Sequence, residues 1–193
     1  MGSFRNPAAA AWAQRSFIEA SYLALPGFGP STGYGNGFDL GLTLPRAYGV
    51  WSFGLSFLQS PFAAMPVGTG FSGQAAIAKE LSDRVALGLG LGGSFGGIEG
   101  WSLDGDLGIL VRQGTLGVFK DFAWGAALTG LGKTVAPSPF TLSAGASGYL
   151  VRSPSFDFGV AADLSFPAFQ NLVFGLGLDL AIGRVAFVNL GWD

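Results

Sequence analysis

The sequence has no cysteine and no histidine. Without thiolates or imidazoles it excludes disulfides, thiol nucleophiles, His-based catalytic triads and the usual zinc sites. Charged residues make up only 11% of the chain, against about 25% in an average soluble domain. A formal net charge of -2 leaves no basic surface for nucleic acid. With these absences we expect no metal site, no cofactor and no nucleic-acid partner, and we expect that the protein is not an enzyme.

Long hydrophobic runs are also missing, although 49% of the residues are hydrophobic. No run approaches the ~18 apolar residues that a membrane-spanning helix requires. Residues 1–7 lack the apolar core of a secretory signal. For an exported protein we therefore expect that the signal has been removed, or that the sequence starts inside its gene.

What the sequence does have is strict alternation, most clearly in residues 172–182. Every even position there is a large apolar residue, and the positions between are mostly Gly, Ala and one Asp. A period of two is typical of a β-strand whose side chains alternate between faces. One face is bulky and apolar while the other is small, which favours a strand with lipid on one side and a lumen on the other.

The same pattern recurs along the chain and predicts about eleven strands. They are expected at about 16–25, 38–44, 50–59, 71–80, 84–92, 101–112, 115–131, 140–150, 156–166, 172–182 and 184–192. Long connections (26–37, 60–70, 92–100, 132–139) alternate with short ones, which is typical of an up-and-down transmembrane barrel. The fold class is therefore all-β, an antiparallel barrel of about 10–14 strands over 16–193, preceded by a short N-terminal helical segment over 1–15.

The odd strand number leaves an alternative open, because bacterial single-chain barrels are normally even-numbered and an open edge cannot lie in lipid. Segment 115–131 is long enough to contain a hidden hairpin. Otherwise a strand is missing from this chain, or a second copy closes the sheet.

Charged residues on the small-residue side of the strands form the candidate site. The alternation directs to the lumen Asp39, Asp104, Asp106, Arg112, Asp157, Asp163 and Asp179. They predict either an acidic passage or ordinary lumen residues that are hydrated or paired with Arg112 and Arg152. A catalytic carboxylate pair at Asp104 and Asp106 is disfavoured, because no nucleophile or metal-ligand set accompanies it.

The small lumen residues leave volume for a plug, a ligand or water, unless glycine merely permits tight curvature. The plug candidate is the N-terminal segment. Asn6 can cap its short helix, Pro7 suits the first helical position, and Trp12 follows within the same segment. These three residues are the hatch candidates.

Two glycine motifs resemble nucleotide-binding sequences by chance. Gly88-x-Gly90-x-x-Gly93 lies within an alternating strand and no helix follows it. Residues 130–134 end like a phosphate-binding loop, but the prolines that follow prevent the required helix.

Four segments resemble sequences of one known family. They are Asn6-Pro7-Ala8-Ala9, residues 79–88 (KELSDRVALG), residues 124–133 (WGAALTGLGK) and residues 139–150 (PFTLSAGASGYL). In this order they resemble the FadL-like and PorV-like outer-membrane barrels, most closely a spirochaetal branch, although Thr129 stands where that motif has Asn. The resemblance implies a barrel of about 14 strands with an N-terminal hatch, and this sequence looks truncated at both ends relative to that pattern.

The resemblance also implies a function: passage of hydrophobic molecules or docking of secreted partners. We expect a bacterial outer-membrane β-barrel for passive, porin-like transport of small hydrophobic molecules, with the lipid bilayer as its surroundings and a hydrophobic ligand in its passage. Two alternatives remain. The barrel anchors or shuttles a secreted or surface protein through its long loops, or it self-associates as a structural homo-oligomer.

Overall fold

The computed structural model describes residues 6–26, 34–59, 69–96, 100–133, 140–183 and 186–192. One short 3₁₀ helix, Pro7–Ala10, precedes eleven β-strands. The strands are β1 (Phe17–Pro26), β2 (Tyr34–Arg46), β3 (Gly49–Gln59), β4 (Thr69–Ser82), β5 (Val85–Gly96), β6 (Trp101–Leu116), β7 (Phe119–Lys133), β8 (Thr141–Arg152), β9 (Phe156–Pro167), β10 (Val173–Ile182) and β11 (Ala186–Trp192).

The strands form one antiparallel sheet in which each strand pairs with the next along the chain. This confirms the prediction of an all-β fold with eleven strands in consecutive order. Segment 115–131 adds no further strand pair: it holds the end of β6, the turn at 117–118 and β7, which runs unbroken from Phe119 to Lys133. Within the described ranges no ladder joins β1 to β11, so these two strands are the edges of the sheet.

The expected strand bounds, 101–112 and 115–131, predict a turn at 113–114. This prediction is wrong, because the chain turns four residues later, at Gly117 and Val118. Gly114 has a φ of +77° and lies in a bulge of β6, where the register to β7 shifts. Gly117, with a φ of +57°, makes the actual turn. Both glycines adopt a left-handed conformation that other residues disfavour, so the sequence alone did not distinguish the bulge from the turn.

Short turns at 47–48, 83–84, 117–118 and 153–155 join the strands on one side of the sheet, where the strands end. This line of strand ends is hereafter the short-turn edge, as distinct from the edge strands β1 and β11. Of the long connections expected at 26–37, 60–70 and 92–100, residues 27–33, 60–68 and 97–99 lie outside the described residues. The rest are largely strand, because β2 already begins at Tyr34 and β5 continues to Gly96. The glycine-rich ends of both strands pair with their neighbours and so extend the sheet.

The sheet has a small-residue face and a large-residue face. Its large-residue face exposes large apolar or aromatic side chains along every strand whose side chains are described, and no large side chain of the described residues is fully buried. The accessible surface is 12291 Å², compared with roughly 8,600 Å² for a compact soluble protein of this size. A single sheet therefore leaves its apolar face without a protein layer over it. No helix in the described part of the chain is long and apolar enough to cross a membrane.

Candidate functional site

The N-terminal residues 6–12 lie on the small-residue face and are called the docked segment. Its helix is a single 3₁₀ turn, shorter than the helical segment outlined for 1–15. Asn6 caps it by accepting a hydrogen bond from the Ala8 amide at 2.9 Å, and Pro7 occupies the first turn. Serine, threonine, aspartate and asparagine are preferred at such caps because their side chains accept a free amide.

Three glycines of neighbouring strands lie directly beneath the docked segment. A methyl group at Gly88 of β5 would lie 2.2 Å from the Ala8 nitrogen, and one at Gly108 of β6 would lie 2.1 Å from the Asn6 side-chain oxygen. At Gly125 of β7 it would lie 3.0 Å from the Asn6 side-chain nitrogen. These positions require glycine because the docked segment fills the space that a Cβ would need.

Asn6 also binds the sheet itself. Its Nδ2 donates to the Ile109 carbonyl at 3.0 Å and to the Ala126 carbonyl at 3.4 Å. One side chain therefore caps the helix with its oxygen and attaches the segment to β6 and β7 with its nitrogen.

The only cluster of buried hydrophobic residues found among the described residues lies at this contact. Ala8 and Ala86 are 0% exposed, and Ala11 and Ala78 are nearly so. Alanine methyl groups therefore form the contact between the 3₁₀ turn and strands β4 and β5, with Trp12 and Leu110 packed against them.

Trp12 and Arg112, selected from the sequence for different reasons, meet at the end of the docked segment. The Arg112 guanidinium lies 3.8 Å from the centroid of the Trp12 ring, within the range of a cation–π interaction. The Trp12 Nε1 is buried without a hydrogen-bond partner among the described residues.

Several candidate carboxylates lie over glycines of the adjacent strands. A methyl group at Gly92 would lie 2.8 Å from Asp104 Oδ2, and one at Gly90 would lie 3.1 Å from the Asp106 Cβ. Asp163 lies over Gly175 in the same way, at 2.8 Å from both oxygens. The glycines facing these acids thus provide room for their carboxylates on the small-residue face.

The carboxylates also differ in their surroundings. Asp106 Oδ1 accepts the Gly130 amide at 2.9 Å, at a bulge in β7. Asp39 accepts from Ser56 at 2.5 Å and Ser21 at 3.2 Å. Asp157 accepts from the Ser153 amide at 3.2 Å, and Asp179 stands opposite Gly159 in the ladder.

Pairing with Arg112 and Arg152 was one of the alternatives for these acids, and among the described residues no such ion pair is found. Arg112 stacks on Trp12, while Arg152 forms an ion pair with Asp121 and lies over the Tyr149 ring. Both arginines lie toward the short-turn edge, whereas Asp39, Asp104 and Asp106 lie further along their strands. The part of the small-residue face that carries Asp39, Asp104 and Asp106 is therefore negatively charged.

Two rows of aligned residues were not anticipated from the sequence. On the small-residue face, one row crosses β1 to β6 with each member directly opposite the next. It consists of Ser21, Asp39, Ser56, Ser72, Ser94 and Ser102. Ser94 and Ser102 share a hydrogen bond between hydroxyls at 2.5 Å. We call this line the hydroxyl row.

The second row lies on the large-residue face, displaced by one residue from the first. It consists of Tyr22, Phe38, Phe57, Phe71, Phe95 and Trp101. We call it the aromatic row. Only the register of five successive ladders shows that these aromatic residues form one line.

A cavity of about 560 Å³ lies beside the docked segment, against β7, β8 and β9. Asn6 and Leu110 form one side, and Ser143, Ser147 and Asp163 form part of the other. Its wall is built from small side chains with a few hydroxyl groups and one carboxylate, so it can hold a small molecule with hydrogen-bond donors.

Comparisons with protein-family models, curated proteins and solved structures found no match to this chain. In the described ranges, no group of three or more acidic side chains is placed to hold a metal ion.

Proposed function

We propose that this chain is a bacterial outer-membrane β-barrel protein whose small-residue face lines a passive route for small molecules. The observation that carries the proposal is the back-to-back placement of the aromatic row and the hydroxyl row across the same six strands. Transmembrane barrels have an apolar outer band edged by aromatic girdles and a polar interior.

The dimensions of the sheet support this assignment. From the aromatic row at Trp101 to Val111, near the short-turn edge, β6 advances ten residues. At about 3.3 Å per residue this is about 33 Å along the strand, or about 25 Å across a bilayer at a tilt of about 40°. An outer-membrane barrel has an apolar band of about this height.

The interior favours a passage with a partial plug. The docked segment covers β4, β5 and β6 on the small-residue face, and the cavity beside it stays open. The family resemblance favours a hydrophobic solute. The hydroxyl row and the carboxylates favour a solute that also carries hydrogen-bond donors, so an amphipathic small molecule satisfies both.

A direct test is the electrophoretic mobility of detergent-refolded protein, boiled and unboiled. We expect a compact unboiled form that becomes slower after boiling, as is usual for a barrel rich in ladder hydrogen bonds. The absence of any shift, together with solubility in buffer without detergent, would overturn the membrane assignment.

Passage itself is tested in liposomes that contain the refolded protein. We expect entry of a small amphipathic amine or alcohol to be faster than in protein-free liposomes, and faster still when residues 6–12 are deleted. Equal rates with and without protein would show that the barrel does not transport such solutes.

A second candidate is self-association, which is favoured by the two edge strands. β1 and β11 are both odd-numbered and run in the same direction, so they cannot pair with each other in the antiparallel way that the other strands do. Two copies related by a twofold axis can instead pair β1 with β1 antiparallel. A discrete heat-labile multimer on the same gel would support this arrangement, and a compact monomer would exclude it.

A further inference from the structure

A second cavity system lies on the large-residue face, away from the route proposed above. It is a groove across β4 to β7, with one part of about 720 Å³ and another of about 460 Å³. Ile77, Leu89 and Leu107 line both parts and make them continuous.

The groove exists because three small residues interrupt the large side chains of this face. Ala75, Gly105 and Ala126 occupy outward positions at which neighbouring strands carry leucine or isoleucine. A methyl group at Gly105 would meet nothing closer than 3.7 Å, so the space above this glycine is open. The groove walls are otherwise apolar leucines.

Two charged residues line the groove, Asp106 and Lys79. Asp106 stands opposite Gly90 on the small-residue face, so Lys79 is the charged residue on the outward side, and it lies toward the short-turn edge. Lys79 stands opposite Leu87 on the outward side and is exposed. No ion pair of Lys79 is found within the described part of the chain. The neighbouring Glu80 stands opposite Ala86 on the small-residue face, and Asp83 and Arg84 lie in the turn beyond.

The length of the groove matches one leaflet. From Leu81 to Ala75 β4 advances six residues, about 20 Å along the strand at about 3.3 Å per residue. At a tilt of about 40° this is about 15 Å in depth, half of a hydrocarbon core of about 30 Å. A lysine at the end of such a groove reaches the headgroup level by extending its side chain.

The geometry points to a site for one glycerophospholipid with an anionic headgroup, seated in the leaflet that faces the short turns. An acyl chain lies along the groove over Gly105 and Ala126, and the phosphate binds the Lys79 ammonium. This inference rests on the proposed membrane location but not on transport.

The test is native mass spectrometry of the detergent-solubilised protein, titrated with phosphatidylglycerol and, in parallel, with phosphatidylcholine. We expect one retained phosphatidylglycerol per chain. Ala126→Phe fills the groove and should lower retention of both lipids by about tenfold. Lys79→Gln should reduce retention of phosphatidylglycerol several-fold and that of phosphatidylcholine less, because the choline cation already offsets the charge of its phosphate.

The matched controls are Ala162→Phe, an outward alanine on β9 outside the groove, and Lys120→Gln, another lysine near the short-turn edge. Both should retain phosphatidylglycerol as the parent chain does. Unchanged retention in Ala126→Phe or Lys79→Gln would overturn the site, as would equal loss in the controls or a second protein copy in place of lipid. If the protein shows no heat-dependent mobility shift, the membrane assignment itself is wrong. Failure of the lipid site and failure of the proposed membrane location are therefore distinguishable.

Discussion

The guanidinium of Arg112 covers the indole ring of Trp12 at 3.8 Å from its centroid. One residue belongs to β6 and the other to the docked segment, so the contact joins the N-terminal segment to the wall of the sheet. A cation–π contact at an exposed site contributes about 0.5–1 kcal/mol. The contact also engages the one arginine of β6, which is then not paired with the neighbouring carboxylates.

Removing this contact should loosen the docked segment. The chain has no cysteine, so Ala11→Cys provides a single buried thiol whose maleimide labelling rate reports undocking. In that background Arg112→Ala should raise the labelling rate roughly two- to fivefold, as the loss of about 0.5–1 kcal/mol implies. Arg112→Lys should give a smaller increase, since it keeps a cation near the ring. An unchanged rate in Arg112→Ala would show that the stacking does not hold the segment.

Gly88→Ala should displace the docked segment while leaving the sheet intact. The new methyl group would lie 2.2 Å from the Ala8 backbone nitrogen, so the segment or β5 must move. We expect at least tenfold faster labelling of Ala11→Cys and an unchanged heat-dependent mobility shift. Gly73→Ala, where the nearest atom is an ordinary 3.5 Å away, is the matched control. Slow labelling in Gly88→Ala would mean that β5 yields instead of the segment.

Substitutions can separate the two roles of Asn6, as the cap of the 3₁₀ turn and as the donor to the sheet. Asn6→Asp keeps the cap to the Ala8 amide but loses the donor to Ile109, whereas Asn6→Ala loses both. Caps contribute about 0.5–2 kcal/mol, so Asn6→Ala should label faster at Ala11→Cys than Asn6→Asp. Both variants should label faster than the parent chain, because each has lost the hydrogen bond from Asn6 to the sheet. If Asn6→Asp labels no faster than the parent, the amide nitrogen does not anchor the segment.

The sequence was sufficient for the parts of the fold that depend on local patterns. Alternation over 172–182 and its repeats predicted eleven strands, because a side-chain period of two leaves few other structures open. It failed at Gly114, since a glycine with positive φ serves a bulge as readily as a turn.

What the sequence did not reveal depends on register. Ser72 and Ser94 are distant in sequence and become neighbours only when β4 and β5 pair as they do. A shift of one residue would have exchanged the faces of the strand, so the rows could not be drawn before the turns were known. The same holds for Gly88, whose need for glycine comes from the docked segment above it.

Asp106 should stabilise the bulge of β7 through its bond to the Gly130 amide. Asp106→Ala leaves that amide without its partner, at a cost of about 1–3 kcal/mol if water does not replace it. Asp106→Asn keeps an acceptor oxygen and should cost much less. The measurement is the temperature at which the compact band is lost on the gel. Equal losses for the two variants would show that charge, not the hydrogen bond, matters there.

Neutralising carboxylates of the small-residue face should reduce a preference for cations. Asp104 and Asp163 lie over glycines, and no hydrogen bond or ion pair to a cationic side chain is found for either within the described ranges. A charge in a water-filled passage contributes about 1 kcal/mol at 4 Å, so Asp104→Asn with Asp163→Asn should lower the ratio of cation to anion permeability roughly two- to fivefold. The ratio is obtained from the reversal potential of planar bilayers under a KCl gradient. Asp121→Asn is the control, because that carboxylate is paired with Arg152 near the short-turn edge and should change the ratio little. An unchanged ratio in the double variant would mean that ions do not pass along this face.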